Sequence, residues 1–211
     1  MNQLNLPAPK AYHQRQRQHN DEIFSLYSSV GPNKIRSMKS TIFDKVECLI
    51  KDKITFKDIS SEHYDYFNCL AFSDRKIRSI LEIGSYKGYT AAYLAILFPQ
   101  ATIYSIDLPA TSHDFVNTYK RKECVSDFLD KRNRLLNSFA NIKFSDTSST
   151  CFLFDCEQMF DVIWIDGDHS YPQVCIDIVK SLHLLGEGGV IMVDDIYRFG
   201  GKLPENHRKS H

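Results

Sequence analysis

Five short β-rich runs of this chain each end in acidic residues, and a glycine turn follows the first of them. Glu82 stands just before Gly84, Asp107 follows Tyr104-Ser105-Ile106, and Asp166 follows Val162-Ile163-Trp164-Ile165. Asp194-Asp195 follow Val190-Ile191-Met192-Val193, and Ile142-Lys143-Phe144 is succeeded at once by Ser145-Asp146-Thr147. Carboxylates in such places accept hydrogen bonds from ligand hydroxyls, hold hard cations or take up protons. A lone acid at a strand end is often only a helix N-cap, but five sets along one edge are hard to explain by capping alone. The run Leu81-Glu82-Ile83-Gly84-Ser85-Tyr86-Lys87-Gly88-Tyr89-Thr90 reads as a buried strand turning through two glycines into a helix. Such a turn lets backbone approach a ligand where a Cβ would collide.

The spacing narrows the ligand. Asp107 lies about twenty residues beyond the glycine turn, the interval at which an acid reaches the ribose hydroxyls of a nucleoside. That interval suits NAD and S-adenosylmethionine alike, so the glycines decide between them. A dinucleotide site needs G-x-G-x-x-G, whereas only Gly84 and Gly88 are present and Tyr86 fills the middle position. The Gly-Lys-Ser/Thr of a phosphate loop is missing too, which leaves a cofactor without phosphate as the better fit.

The elements that must position these residues alternate in type. β-rich runs at Ile80 to Ile83, Ala101 to Ile106, Ile142 to Phe144, Val162 to Ile165 and Val190 to Val193 are separated by helix-period segments. Those segments are Thr90 to Phe98, Glu123 to Phe139, Ser148 to Gln158 and Pro172 to Leu185. Strict alternation predicts an α/β fold, a doubly wound Rossmann-like parallel sheet with helices on both faces. Ligands of such sheets bind beyond the carboxyl ends of the strands. Gly186-Glu187-Gly188-Gly189 reads as a stop signal ahead of the fifth strand. Residues 1 to 20, rich in Gln, Asn and His, are expected to form a mobile leader, and residues 21 to 73 a helical cap broken at Gly31-Pro32-Asn33. The main domain is expected over 74 to 197 and a polar tail over 198 to 211.

Bulk properties exclude several classes. Lys+Arg and Asp+Glu balance at 26 each, so no positive field gathers nucleic acid. Small basic groups such as Lys120-Arg121-Lys122 and Lys131-Arg132 read as solvated helix faces. The cysteines form no CxxC pair, which fits a reduced, cytoplasmic setting. No export signal and no membrane-spanning run is visible.

The runs LEIGSYKGYTAAYLA, IYSIDLP, SDTSS, FDVIWIDGDHSY and GGVIMVDD, in consistent order over residues 77 to 197, closely resemble the class I (Rossmann-like) S-adenosylmethionine-dependent methyltransferases. Within that class they look like the metal-dependent O-methyltransferases of the catechol and caffeoyl-CoA type and their bacterial relatives acting on sugars and natural products. The resemblance implies a strand order of 3-2-1-4-5. It further implies that Glu82, Gly84, Ser85 and Gly88 border the methionine half of the cofactor, with Thr90 near its carboxylate. Asp107 would hold the ribose, and Asp146 with Thr147 would lie beside the adenine, although Thr147 also suits a helix N-cap. Asp166, Asp194 and Asp195 match positions that bind a divalent ion such as Mg²⁺ in that family. His169 stands where catechol-type enzymes carry a lysine that takes the hydroxyl proton, and it pairs in the sequence with Asp166 as a catalytic candidate; Asp168 to Tyr171 could equally cap a following helix. Family members continue past the fifth strand with a further helix and two strands, which residues 196 to 211 are too short and polar to supply. An open edge there would invite pairing with another chain, hence an expected homodimer. The reading is an S-adenosylmethionine-dependent O-methyltransferase for a small hydroxylated acceptor. Metal-independent or catalytically weak relatives are the alternatives.

Overall fold

The strand signals become one five-stranded parallel sheet in a computed structural model that describes residues 9–51, 53–55, 60–117 and 125–195. Three helices come first: α1 (Pro9–Tyr27), α2 (Pro32–Ile50) and α3 (His63–Ala71). Strands and helices then alternate as β1 (Ser79–Ile83), α4 (Tyr89–Leu97), β2 (Thr102–Asp107), α5 (His113–Asn117), α6 (Val125–Leu136), β3 (Ile142–Asp146), α7 (Ser149–Asp155), β4 (Phe160–Ile165), α8 (Gln173–His183) and β5 (Leu185–Val193). The sheet order is β3-β2-β1-β4-β5, as the resemblance implied.

The central strands are apolar on both faces because helices cover both. On one side Ile80, Ile103, Val162 and Trp164 pack against α2, α3 and α4 through Phe43, Val46, Phe67, Ala91 and Leu94. On the other, Leu81, Ile83, Ile106, Ile163 and Ile165 meet Leu153 and Leu184. The first core thus runs without a break from the sheet into α2 and α3.

Local chemistry sets the element ends. Pro32 at the start of α2 has the fixed φ of a helix and lacks a donor that the first turn could not use. Ser148 caps α7 by accepting the Cys151 N–H at 3.2 Å. α1 begins at Pro9, well inside the stretch expected as a leader, and its Asn20 is buried, donating to Glu62 at 2.9 Å and accepting from the Tyr66 hydroxyl at 2.6 Å. The glycines at 186, 188 and 189 are not a stop ahead of β5 but an excursion within it. Leu185 pairs with Phe160 and Val190 with Val162, so the intervening residues bulge out, with Gly188 at φ +71°. The polar tail lies outside the described residues.

The register carries a consequence for the strand ends. Ile83 pairs with Ile106 and Ile165, Ile165 with Val193, and Asp107 with Asp146. The ladder continues one residue further, through Gly84 N–H to the Ile106 carbonyl (2.9 Å), Asp166 N–H to Ile83 (2.8 Å) and Asp194 N–H to Ile165 (2.9 Å). Asp146, Asp107, Gly84, Asp166 and Asp194 therefore stand in one line across all five strands.

Candidate functional site

Gly84 occupies the middle of that line, and its backbone explains why no other residue fits. At φ +99°, an added Cβ would lie 2.2 Å from the Asp166 carbonyl oxygen. Gly88, at φ +78°, would press its Cβ to 2.8 Å from Leu136 Cδ2 of α6. Both glycines are thus demanded by the protein's own backbone and packing. Between them Ser85 to Gly88 closes a turn through the Gly88 N–H to Ser85 carbonyl bond (2.7 Å), with Tyr86 in the left-handed region at φ 46°. The Tyr86 ring packs 5.6 Å from Phe128, and its N–H donates to Asp107 Oδ2 at 3.0 Å.

Below the turn lies a buried polar chain. Ser105 donates to Glu82, and Ser85 and Ser105 share a hydrogen bond. Glu82 is fully buried, and that desolvation pushes its carboxyl up to about 8, with Asp166 and Asp107 adding to the effect and the Ser105 bond opposing it. Its Oε1 meets no hydrogen-bond partner among the described residues. Expected as a residue bordering the cofactor, Glu82 lies beneath the glycine turn, two residues below the line of strand ends.

To one side of Gly84 stand Asp107 and Asp146. Asp107 accepts the Leu108 N–H on Oδ1 (2.8 Å) and Arg132 Nη1 on Oδ2 (3.4 Å), in addition to Tyr86. Asp146 accepts the Ala110 N–H at 3.3 Å and lies 3.6 Å from Arg132 Nη2. Arg132 is the residue that sequence reasoning misplaced. Rather than facing solvent, its side chain is 1% exposed, with the guanidinium 4.5 Å from the Phe144 ring centroid. The signal was available, since Phe128, Arg132, Leu135 and Leu136 share the inward stripe of α6. Lys120 to Lys122 lie outside the described residues. Thr147 donates its N–H to the Asp107 carbonyl (2.8 Å) and does not cap α7, a task that falls to Ser148. A cleft of about 660 Å³ runs between α6 and the free edge of β3, lined by Ala110, Arg132, Phe144 and Asp146 among others.

Thr90, in the first turn of α4, meets the Tyr64 hydroxyl of α3 at 3.1 Å. Tyr64 was not foreseen, because the leader helices carried no recognisable motif. Its neighbour His63 is buried against Trp164 (4.6 Å between ring centroids), and burial, with Lys39 adding to it, lowers the imidazole to about 3.

On the other side of Gly84 stand Asp166 and Asp194. His169 Nε2 lies 3.4 Å from Asp166 Oδ1, and its Nδ1 is buried with no partner among the described residues. The loop is shaped by Asp168, which accepts the Ser170 N–H at 2.8 Å, and α8 has no side-chain cap, so His169 is not a capping residue. The Asp166 hydrogen bond raises the His169 imidazole above its usual value against the effect of burial. Burial raises Asp166, which His169 counteracts, and burial together with Asp166 and Asp195 pushes Asp194 up to about 6. Asp195 is exposed, with φ 52°. Among the described residues no group of three or more His, Cys, Asp or Glu side chains is arranged to hold a metal ion. Asp166 and Asp194 close neighbouring strands, with Asp195 following, and Asp166 Oδ1 faces His169 Nε2 at 3.4 Å.

A five-stranded 3-2-1-4-5 parallel sheet with a glycine turn after β1 and acids closing the other strands defines a Rossmann-like, class I methyltransferase fold. A family profile described as a methyltransferase domain matches residues 81–196, more than half of the chain, and the protein belongs to that family of S-adenosylmethionine-dependent enzymes. Among solved structures, it is similar to the methyltransferase PaMTH1 of Podospora anserina bound to SAH, at 19% identity and a TM-score of 0.47, covering 92% of this chain and 73% of the other. It is also similar to cofactor-bound Rv0187 from MTB, at 18% identity and a TM-score of 0.44, covering 90% and 73%. A chain of a fibrillarin/Nop5p complex matches at 18% identity and a TM-score of 0.43, covering 56% of this chain. The present chain spans half the length of that last one (50%). No curated protein sequence matches. No helix among the described residues is long and apolar enough to cross a membrane.

Proposed function

We propose that the protein is an S-adenosylmethionine-dependent O-methyltransferase for a small hydroxylated acceptor, with His169 as the base. The observation that carries this is the pairing of His169 Nε2 with Asp166 Oδ1 at 3.4 Å, one strand away from Gly84 in the line of strand ends. Supporting it, Asp107 and Asp146 stand on the opposite side of Gly84, where the adenosine half of a cofactor would lie. Gly84, Ser85, Gly88 and Thr90 would border the methionine half. Bound there, the cofactor supplies a methyl group on a cationic sulfur. Asp166 orients the imidazole and stabilises its protonated form, while neutral His169 removes the acceptor's hydroxyl proton as the oxygen attacks the methyl carbon. Five cysteines described as unpaired fit a reduced compartment. A divalent ion such as Mg²⁺, if bound, would be held by Asp166, Asp194 and Asp195 and would lower the pKa of the acceptor hydroxyl.

The test is methyl transfer from labelled cofactor to a panel of phenols, sugars and hydroxylated polyketides, with EDTA and with added Mg²⁺. His169→Gln is expected to lower turnover by about 10²- to 10⁴-fold at unchanged cofactor affinity. Full turnover by that variant would remove His169 from the mechanism, and activity that vanishes with EDTA and returns with Mg²⁺ would restore the ion.

A further inference from the structure

We propose that Arg132 is a positioning residue of the cofactor site, holding Asp107 and Asp146 in the orientation that recognises the ribose hydroxyls. The proposal rests on the methyltransferase reading above. All three guanidinium nitrogens are engaged: Nε with Asn133 Oδ1 at 3.4 Å, Nη1 with Asp107 Oδ2 at 3.4 Å, and Nη2 beside Asp146 Oδ1 at 3.6 Å. The plane is fixed from the sides by Phe144, Phe115 and Phe128, whose ring centroids lie 4.5, 5.5 and 5.9 Å from Cζ.

The reason such a residue is needed lies in the register. Asp107 and Asp146 are direct partners on adjacent parallel strands, about 4.8 Å apart in backbone, and two carboxylates at that distance repel. Asp107 is only 11% exposed and Arg132 1%, so water does little to screen that pair, while Asp146, at 44%, meets solvent on its outer side. A buried cation between the two acids offsets that repulsion and holds each carboxylate beside one of its nitrogens. Lysine could not replace it, because a single ammonium cannot reach two carboxylates and Asn133 at once. The bond also extends to the glycine turn, because Asp107 Oδ2 accepts from Tyr86 N–H as well as from Arg132. Fixing one carboxylate therefore fixes the turn over which the cofactor would lie.

The experiment uses the full chain and two adenosine ligands, 5′-methylthioadenosine and its 2′-deoxy analogue, with adenosylhomocysteine as the reference, titrated by calorimetry below the unfolding range. Arg132→Met retains a stem between the three rings, and Arg132→Lys retains the charge. Arg132→Met is expected to bind adenosylhomocysteine about tenfold more weakly and to lose most of the wild-type preference for the 2′-hydroxyl ligand, with Arg132→Lys in between. In an Asp107→Asn background the same change should cost under about threefold, because the partner is already gone. A packing role alone would lower the melting temperature and leave the 2′-hydroxyl preference intact, and that result would overturn the proposal. Should Arg132→Met fail to fold, an Arg132→Lys variant with undiminished preference overturns it equally. Wild-type protein that binds none of the three ligands would instead refute the methyltransferase reading itself, and this proposal with it.

Discussion

Replacing Glu82 by glutamine should remove a pH dependence of stability, with an effect that is small near pH 5 and large by pH 7. Glu82 has an ordinary value of 4.5 and is pushed up to about 8 by complete burial. Between those values the folded protein holds a proton that the unfolded chain has released, so stability falls as pH rises across this window and is fully present only below it. Each pH unit within the window costs roughly 1.4 kcal/mol. At pH 7 the accumulated cost is about 3 kcal/mol, and at pH 5 it is below about 1 kcal/mol. Glutamine resembles the protonated form, can still accept from Ser105, and does not titrate. Urea unfolding of wild type and Glu82→Gln from pH 5 to pH 8 reads the difference directly, and neighbouring carboxylates that titrate in both proteins largely cancel. The stability advantage of the glutamine variant should widen steadily with pH. A gap that stays constant over that range would mean that Glu82 is ionised in the folded protein, and the reasoning from burial would be wrong.

Two further outcomes follow from contacts already described. Gly84→Ala should destabilise the fold by about 3 kcal/mol or more, seen as a loss of soluble protein or a sharply lowered melting temperature, since its Cβ would sit 2.2 Å from a backbone oxygen. Tyr93→Phe should cost about 1 kcal/mol in urea unfolding, because the Tyr93 hydroxyl donates to Asn68 at 2.7 Å and Asn68 in turn donates to the Ile35 carbonyl at 2.9 Å; an unchanged midpoint would show that this bridge from α4 to α2 contributes nothing.

Much of the sheet was legible in the sequence because parallel strands buried on both faces are nearly unbroken apolar runs, as Val162 to Ile165 illustrates. The acids that close those strands were legible for the same reason, since each follows the last apolar residue. What escaped was decided by partners distant in sequence. Arg132 reads as half of a basic pair until β2 and β3 bring Asp107 and Asp146 to it. The glycines of 186 to 189 carry a stop signal by composition, yet Leu185 already pairs with Phe160 before they begin. His169 likewise reads as one residue of a loop until the fold sets its Nε2 3.4 Å from Asp166 Oδ1.

The line of strand ends has an electrostatic meaning beyond the placement of individual groups. Gly84 divides four aspartates into two pairs, and each pair has its own basic residue, Arg132 on one side and His169 on the other. The chain as a whole is neutral, but on the Arg132 side this edge sets two carboxylates against one guanidinium. On the His169 side the balance shifts with the imidazole proton and with that of Asp194, which burial pushes up to about 6. A ligand lying across Gly84 would therefore span a fixed field at one end and an adjustable one at the other. An extended molecule with a neutral sugar toward Arg132 and a cationic centre toward His169 would be favoured over one carrying phosphates. Selection against dinucleotides would then depend on the spacing of charges along the sheet edge as well as on the bulk of Tyr86.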